Sequence, residues 1–264
     1  MTLVQSLVLG ALQGFTEFLP VSSSGHLALA QRLFGLSDPP IAFDVFLHFA
    51  TMLATLLYFM GDILSLLKEW LLGFAGRDRR KSEGWRYGWA VIAGTLVTAL
   101  LGLPLEGAAT RAFAVPWAVA CGLVVTASLL GFASRIPVSD KQVSLGTGIL
   151  VGLAQGIAVM PGISRSGSTI VAALMAGVRR EEAFRFSFLL SLPAIMGATL
   201  LEGMKALREG VFLPDGWAYG CALAFLCGLV SLHFMRKVVV FGKWKYFSLY
   251  CLVVAAIGFI IGLL

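Results

Sequence analysis

The sequence predicts an all-α integral membrane protein, built as two inverted-topology repeats. Each repeat is a re-entrant helical hairpin followed by three transmembrane helices. Three observations lead to this class: the chain is too apolar for water, its apolar runs are of helical length, and its two halves resemble each other. Of 264 residues, 58% are hydrophobic and only 13% charged, with a mean hydropathy of +0.89. A soluble domain carries roughly 25% charged residues. The apolar runs are too long for barrel strands and lack in-and-out alternation, so helices are the remaining way to satisfy the backbone in lipid.

A crossing helix needs about 20 apolar residues. Six stretches qualify: 42–60, 85–103, 112–132, 183–201, 216–235 and 246–264. Two further regions, 2–36 and 143–178, are apolar but interrupted, the first at 20–25 and the second at 161–167. Each half is short for a crossing, so both regions are expected to enter and leave by the same face. Residues 1–15 contain no Lys or Arg. The basic segment of a signal peptide is therefore missing, and the first run is expected to belong to the folded protein.

Charge supports this arrangement. With six crossings and two re-entrant hairpins, one side collects the loop of Lys68 through Arg86, together with Arg135, Lys141, Arg179, Arg180, Arg185, Arg236, Lys237, Lys243 and Lys245. The other side keeps only Arg32, Arg111, Lys205 and Arg208. The basic side is expected to be cytoplasmic, with both termini outside. The same distribution explains the pI near 9.4 without nucleic acid as a partner. Cys121, Cys221, Cys227 and Cys251 lie in apolar stretches without CxxC spacing. They are expected to pack rather than form disulfides or a zinc site.

Internal similarity gives the repeat. Displaced by 142 positions, Gln13-Gly14 falls on Gln155-Gly156, Val21-Ser22 on Ile163-Ser164, and Ser24-Gly25 on Ser166-Gly167. The single membrane domain 1–264 thus divides into units 1–135 and 136–264. Each unit has three crossings, an odd number, so the second is upside down relative to the first. In such folds broken helices meet near the midplane, where ligands bind.

The two breaks carry the polar chemistry. The first offers Gln13, Glu17, Ser22, Ser23, Ser24 and His26, with Gln13 and Glu17 on one helical face. The second offers Ser164, Arg165, Ser166, Ser168 and Thr169. Ionisable groups at membrane depth are costly, which makes them functional candidates. Glu17 and Arg165 could serve only to pair and staple the repeats, but that leaves the hydroxyl clusters and His26 unexplained. Each break leads into a new helix, near 24–36 and 166–178, whose first N–H groups lack partners. Ser24 and Ser166 suit the cap, and Gly25 and Gly167 let backbone approach closely. Two helix N-termini and the planar guanidinium of Arg165 make an anion site suited to a phosphorylated ligand.

QGFTEFLPVSSSGH and PGISRSGST together resemble the two signature segments of the undecaprenyl-diphosphate phosphatases, the bacitracin-resistance family of bacterial inner-membrane hydrolases. Length, span pattern and repeat are similar over the whole chain. The resemblance implies removal of one phosphate from undecaprenyl diphosphate, yielding the monophosphate lipid carrier of cell-wall synthesis. The first signature of that family has Glu or Gln, three residues, then Glu, here Gln13 and Glu17. On this resemblance Arg165 and the helix N-termini hold the diphosphate and stabilise the transferred phosphoryl group. Glu17 binds a divalent cation, Mg²⁺ or Ca²⁺, with Gln13 as a weaker or water-mediated partner. Ser23 or a water is the nucleophile, and His26 the base. Ser22, Ser24, Gly25, Ser164, Ser166, Gly167 and Thr169 contact the substrate. The expected location is the bacterial inner membrane, multi-pass, with membrane lipids around it, a site opening to the outer face, and a homodimer as an allowed assembly.

A transporter or flippase for a phosphorylated polyprenyl lipid is the alternative, since inverted repeats with broken helices are common there. It needs anion binding but no nucleophile. His48 and His233, without an acidic cluster nearby in sequence, are assigned to packing or interfaces. Asp44 and Arg185 start spans in equivalent places and are read as interfacial anchors. Glu106 and Glu202 are read as solvated on the outer side. RDRRK at 77–81 is read as a cytoplasmic loop near anionic head groups.

Overall fold

A computed structural model describes residues 1–36, 41–209, 213 and 215–263. Position 264 and the side chain of Glu202 lie outside the described residues. Among the described residues eleven α-helices follow one another: α1 Leu3–Thr16, α2 Ser23–Leu33, α3 Ile41–Tyr58, α4 Met60–Leu72, α5 Glu83–Phe113, α6 Pro116–Ala133, α7 Leu145–Ile157, α8 Arg165–Met175, α9 Arg180–Glu209, α10 Trp217–Phe241 and α11 Trp244–Leu263. Among the described residues five helices, α5, α6, α9, α10 and α11, are long and apolar enough to cross a membrane, and the bent pair α3–α4 passes the same test only when its two helices are taken together, as a broken span or a re-entrant loop. The chain is an all-helical, multi-pass membrane protein.

Local chemistry sets the ends of the elements. Thr2 caps α1 and Ser144 caps α7, each in a capping box closed by the residue three positions on, Gln5 and Thr147. Ser82 caps α5 by accepting from the Trp85 N–H. Pro116 opens α6 at a position whose N–H needs no partner, so the third span starts four residues later than its apolar run. The α5 helix continues through Pro104 and α9 through Pro193, both well past the expected ends at 103 and 201. Membrane helices tolerate Pro where neighbours re-satisfy the freed carbonyls.

The first expected span, 42–60, is two helices rather than one. The chain turns by 72° between α3 and α4. Phe59 at the joint has φ −102° and ψ 15°, outside the helical region. Its ring packs on Tyr58, Phe184 and Phe188, so aromatic burial holds the joint where it is. Beyond it α4 has no buried residue and shows Leu64, Leu67 and Leu71.

Close packing by small residues positions the two hairpins. The α1 helix lies along α10 and α7 along α5. A Cβ at Gly10 would collide with the backbone of Gly220, and one at Gly152 with the backbone of Gly94. Both contacts come from GxxxG runs, Gly10/Gly14 and Gly152/Gly156, which let helix backbones approach where lipid supplies no hydrophobic drive. At 14 and 13 residues, α1 and α7 are about 20 Å long, short of the roughly 30 Å hydrocarbon core. A core of Phe18, Phe59, Phe184, Phe188 and their neighbours fills the space beside the breaks.

Candidate active site

The breaks at 17–22 and 158–164 meet. Ser166 Oγ donates to the Leu19 carbonyl at 3.1 Å, a tie from the second break to the first. The breaks are built alike. Ser22 Oγ accepts from the Gly25 N–H at 3.3 Å, and Ser164 Oγ accepts from the Gly167 N–H at 3.1 Å. The hydroxyls of Ser22 and Ser24 lie 3.3 Å apart, as do those of Ser164 and Ser166. Ser22 has φ 68°, the sole positive φ at a non-glycine among the described residues. Such strain, on the order of 1–3 kcal/mol, persists where surrounding structure over-determines it and clusters at functional sites. In the second break Ser164 has an ordinary φ of −69°, and the left-handed turn falls at Gly162, φ 85°, whose carbonyl accepts from Thr126 Oγ1 at 2.8 Å.

Glu17 sits at the C-cap of α1, 6% exposed. Its two oxygens have separate duties. Oε2 accepts from Ser23 Oγ at 2.6 Å and from Gln13 Nε2 at 3.0 Å, and His48 Nε2 lies 3.5 Å away. Oε1 is ion-paired with Arg165 Nη2. The guanidinium carbon of Arg165 stands 6.0 Å from the Phe188 ring centroid. Its Nη1 is buried with no hydrogen-bond partner, as is Gln13 Oε1. Orphaned buried groups of this kind are costly: Arg165 Nη1 has a hydrogen to give and Gln13 Oε1 can accept one or ligate a cation.

A cavity of about 210 Å³ lies over this cluster, lined by Glu17, Ser22, Ser23, Ser24, His48, Ser164 and Arg165, with Ala158, Val159, Ile163 and Ile195 as its apolar wall. The N-termini of α2 and α8 both begin at it, adding positive potential for an anion. Of the residues singled out from the sequence, Glu17, Ser22, Ser23, Ser24, Ser164 and Arg165 line the cavity. Gln13 backs Glu17. Gly25 and Gly167 bind the capping serines. Thr169 is fully buried behind the site, hydrogen-bonded to the Arg165 carbonyl at 2.8 Å and to Ser187.

His26 is not brought against Ser23. Nδ1 lies 2.8 Å from the Ser22 carbonyl and Nε2 2.9 Å from the Tyr250 hydroxyl, with the two rings stacked. A carbonyl only accepts, so Nδ1 carries the hydrogen and Nε2 accepts from Tyr250; the neutral ring is satisfied on both sides. The histidine at the cavity is His48, expected to pack. Its Nδ1 donates to the Asp44 carbonyl at 2.8 Å, which turns Nε2 to Glu17. Asp44, His48, Thr51 and Thr55 recur at helical spacing on α3, and that polar stripe on an apolar helix is the signal that could have found His48. Asp44 accepts both contacts of Gln31 Nε2. Arg185 pairs with Asp62 and Glu83 beside Tyr87, and Glu106 pairs with Lys205 at 2.7 Å.

Among the described residues no group of three or more His, Cys, Asp or Glu side chains is placed to hold a metal ion. The oxygen donors at hand, the Glu17 carboxylate and the orphaned Gln13 Oε1, suit a hard cation that completes its shell from water and substrate phosphate oxygens.

The model of the family described as "Bacitracin resistance protein BacA" matches residues 6–257. The chain belongs to this family. It is 38% identical to the undecaprenyl-diphosphatase of Desulfosudis oleivorans, over 98% of both chains. It is likewise 38% identical to that of Desulforapulum autotrophicum, over 99% of both. It is 37% identical to the protein of the same name from Korarchaeum cryptofilum, over 96% of this chain and 97% of that one. The bacitracin-resistance match covers both breaks and every residue of the cavity.

Proposed function

We propose that this protein is a membrane phosphatase that hydrolyses undecaprenyl diphosphate to undecaprenyl phosphate and inorganic phosphate, recycling the lipid carrier of cell-wall synthesis. The names of its relatives point to this substrate. The observation that carries the chemistry is the hydrogen bond from Ser23 Oγ to Glu17 Oε2 at 2.6 Å, beside an arginine with a free buried donor.

The terminal phosphate of the substrate occupies the 210 Å³ cavity. Arg165 and the first N–H groups of α2 and α8 bind its oxygens and stabilise the charge that spreads over them in the transition state, the main demand of phosphoryl transfer. Ser23 Oγ attacks the terminal phosphorus while its proton passes to Glu17 Oε2. The bond from that phosphorus to the bridging oxygen breaks, and undecaprenyl phosphate leaves with the electron pair. Water then attacks the phosphoserine. Glu17 returns its proton to Oγ as the phosphorus–Oγ bond breaks; one water hydrogen stays on the departing phosphate and the other goes to solvent. Glu17 and Gln13 would hold Mg²⁺ or Ca²⁺, which supplies charge neutralisation for the diphosphate. The apolar wall of Ala158, Val159, Ile163 and Ile195 keeps bulk water from the electrostatics.

The reading includes two inverted repeats, 1–135 and 136–264, with α1–α2 and α7–α8 as re-entrant hairpins. Its support is correspondence of detail: the capping boxes at Thr2 and Ser144, the glycine runs at Gly10 and Gly152, and the serine pairs of the two breaks. In the same alignment Glu17 corresponds to Val159 and Ser23 to Arg165, so each repeat supplies one half of the charge pair. The basic loops favour a cytoplasmic placement for the α9 N-terminus and an outward-facing site.

Phosphate release by purified protein, assayed with and without Mg²⁺ or Ca²⁺, tests this function. No release from any polyprenyl diphosphate rejects it; a flippase without hydrolysis would give that result.

A further inference from the structure

The diphosphate cavity is not closed on the lipid side. It continues into a second cavity of about 490 Å³ between α5 and α9. The two share Ala158, Val159, Arg165 and Ile195 as lining residues, so Arg165 stands at the junction. The character of the wall changes along the groove. Beside Arg165 it carries Thr98, Gln155 and Ser191; farther along the helices it is apolar, with Gly102, Leu103, Gly197, Ala198 and Leu201, until Glu106, ion-paired with Lys205, at its far end. Gln155 is 4% exposed. Its Nε2 donates to Thr98 Oγ1 at 3.2 Å, and its Oε1 is buried without a partner. The small residues keep the space open: a Cβ added at Gly197 meets nothing within 4 Å.

The geometry points to this groove as the seat of the isoprenoid chain of the substrate. With the terminal phosphate held in the cavity, the phosphate nearest the chain lies at the junction beside Arg165, and the first isoprene units run between α5 and α9 into the bilayer. The inference rests on the phosphatase reading, because the diphosphate cavity fixes where the chain must begin. The change from polar to apolar wall orients the molecule head-in and tail-out. A second apolar cavity of about 600 Å³ lies between α1 and α11, with Val8, Leu12, Phe15 and Tyr246 in its wall. It shares no lining residue with the diphosphate cavity, which is why the α5–α9 groove is the one assigned.

Gly197→Leu tests the assignment, since Gly197 lines the groove and a Cβ added there meets nothing within 4 Å. The measurement is kcat/KM for undecaprenyl diphosphate and for isopentenyl diphosphate, whose single isoprene unit does not reach that far. The expected result is a loss of about tenfold or more for the long substrate, the scale of excluding about two methylenes from an apolar site, with the short one unchanged. Ala11→Leu in the α1–α11 cavity leaves both unchanged. A farnesyl diphosphate with a terminal benzophenone is expected to label peptides of α5 and α9. Unchanged hydrolysis of the long substrate by Gly197→Leu, equal loss for both substrates, or labelling of α1 and α11 overturns the assignment. If the wild-type protein released no phosphate at all, the phosphatase reading would fail, while the site of photolabelling would still decide whether the groove takes the chain.

Discussion

Ser23 and Arg165 bind opposite oxygens of one carboxylate: Ser23 Oγ donates to Glu17 Oε2, and Arg165 Nη2 pairs with Oε1. In the proposed repeat the two residues occupy equivalent positions, and on that reading the site is assembled across the two units rather than within one. Glu17 is held where it can take the Ser23 proton, and the guanidinium that holds it has Nη1 buried without a partner. This makes each residue separable by mutation.

Arg165→Ala is expected to reduce phosphate release by more than about 100-fold, the range for removal of one oxyanion-type donor. Arg165→Lys keeps the charge but loses the planar fork, and is expected to recover only part of that. Wild-type turnover by Arg165→Ala would reject the anion site.

Glu17→Gln preserves shape and can still accept from Ser23, but it is no longer a carboxylate base. A fall in kcat on the order of 10²–10⁴ is expected, the range for a general base. Gln13→Ala, which removes a side chain touching Glu17 rather than the proton acceptor itself, is expected to cost less, about 10-fold to 100-fold. Steady-state kinetics of the two variants, measured across Mg²⁺ concentrations, check the order; if Gln13→Ala proves the more damaging, the assignment of duties between them is wrong.

These roles were unevenly legible in the sequence. Gln13, Glu17 and the serine run are within a few residues of one another, and helix geometry alone places them together. Arg165 could be brought in because the repeat supplied a second break. His48 could not, since its place depends on how α3 packs beside α1, and no local signal reports that except the polar stripe. Likewise the partner that satisfies His26 is Tyr250, 224 residues away. The break at Phe59 was hidden for the same reason: Phe184 and Phe188 come from the other half. Apolar runs marked the membrane helices, but Pro104 and Pro193 did not mark their ends.

His26 and His48 are distinguished by their pH–rate profiles. His26→Ala frees the Ser22 carbonyl and loosens the turn that carries Ser23. It is expected to lower kcat about 10-fold to 100-fold while leaving the shape of the profile unchanged, and Tyr250→Phe is expected to cost only a few-fold. If His26 serves as the base, its removal abolishes an ionisation from the profile. His48→Ala touches the Glu17 neighbourhood directly and is the variant expected to alter that shape.

Gly152→Leu probes the packing that places the second break. The leucine must enter the space held by the Gly94 backbone, and overpacking of this kind costs about 1–3 kcal/mol or more. A lower melting temperature in detergent is expected, with loss of activity in proportion. Gly61→Leu, where a Cβ meets nothing within 4 Å, is the control and should melt like the wild type.

The side on which the site opens can be read with a single thiol. Ser24 lines the cavity and is partly exposed, so a cysteine there reports access to the site itself. The four natural cysteines, of which Cys121 is exposed, are first replaced by alanine. In intact cells Ser24→Cys is expected to react with a membrane-impermeant maleimide added from outside, because the basic loops assign the opposite face to the cytoplasm. Excess farnesyl diphosphate should slow the reaction, as the terminal phosphate fills the cavity above Ser24. Labelling only after the cytoplasmic face is exposed would reverse the proposed orientation, whereas labelling from outside that farnesyl diphosphate does not slow would remove Ser24 from the diphosphate site.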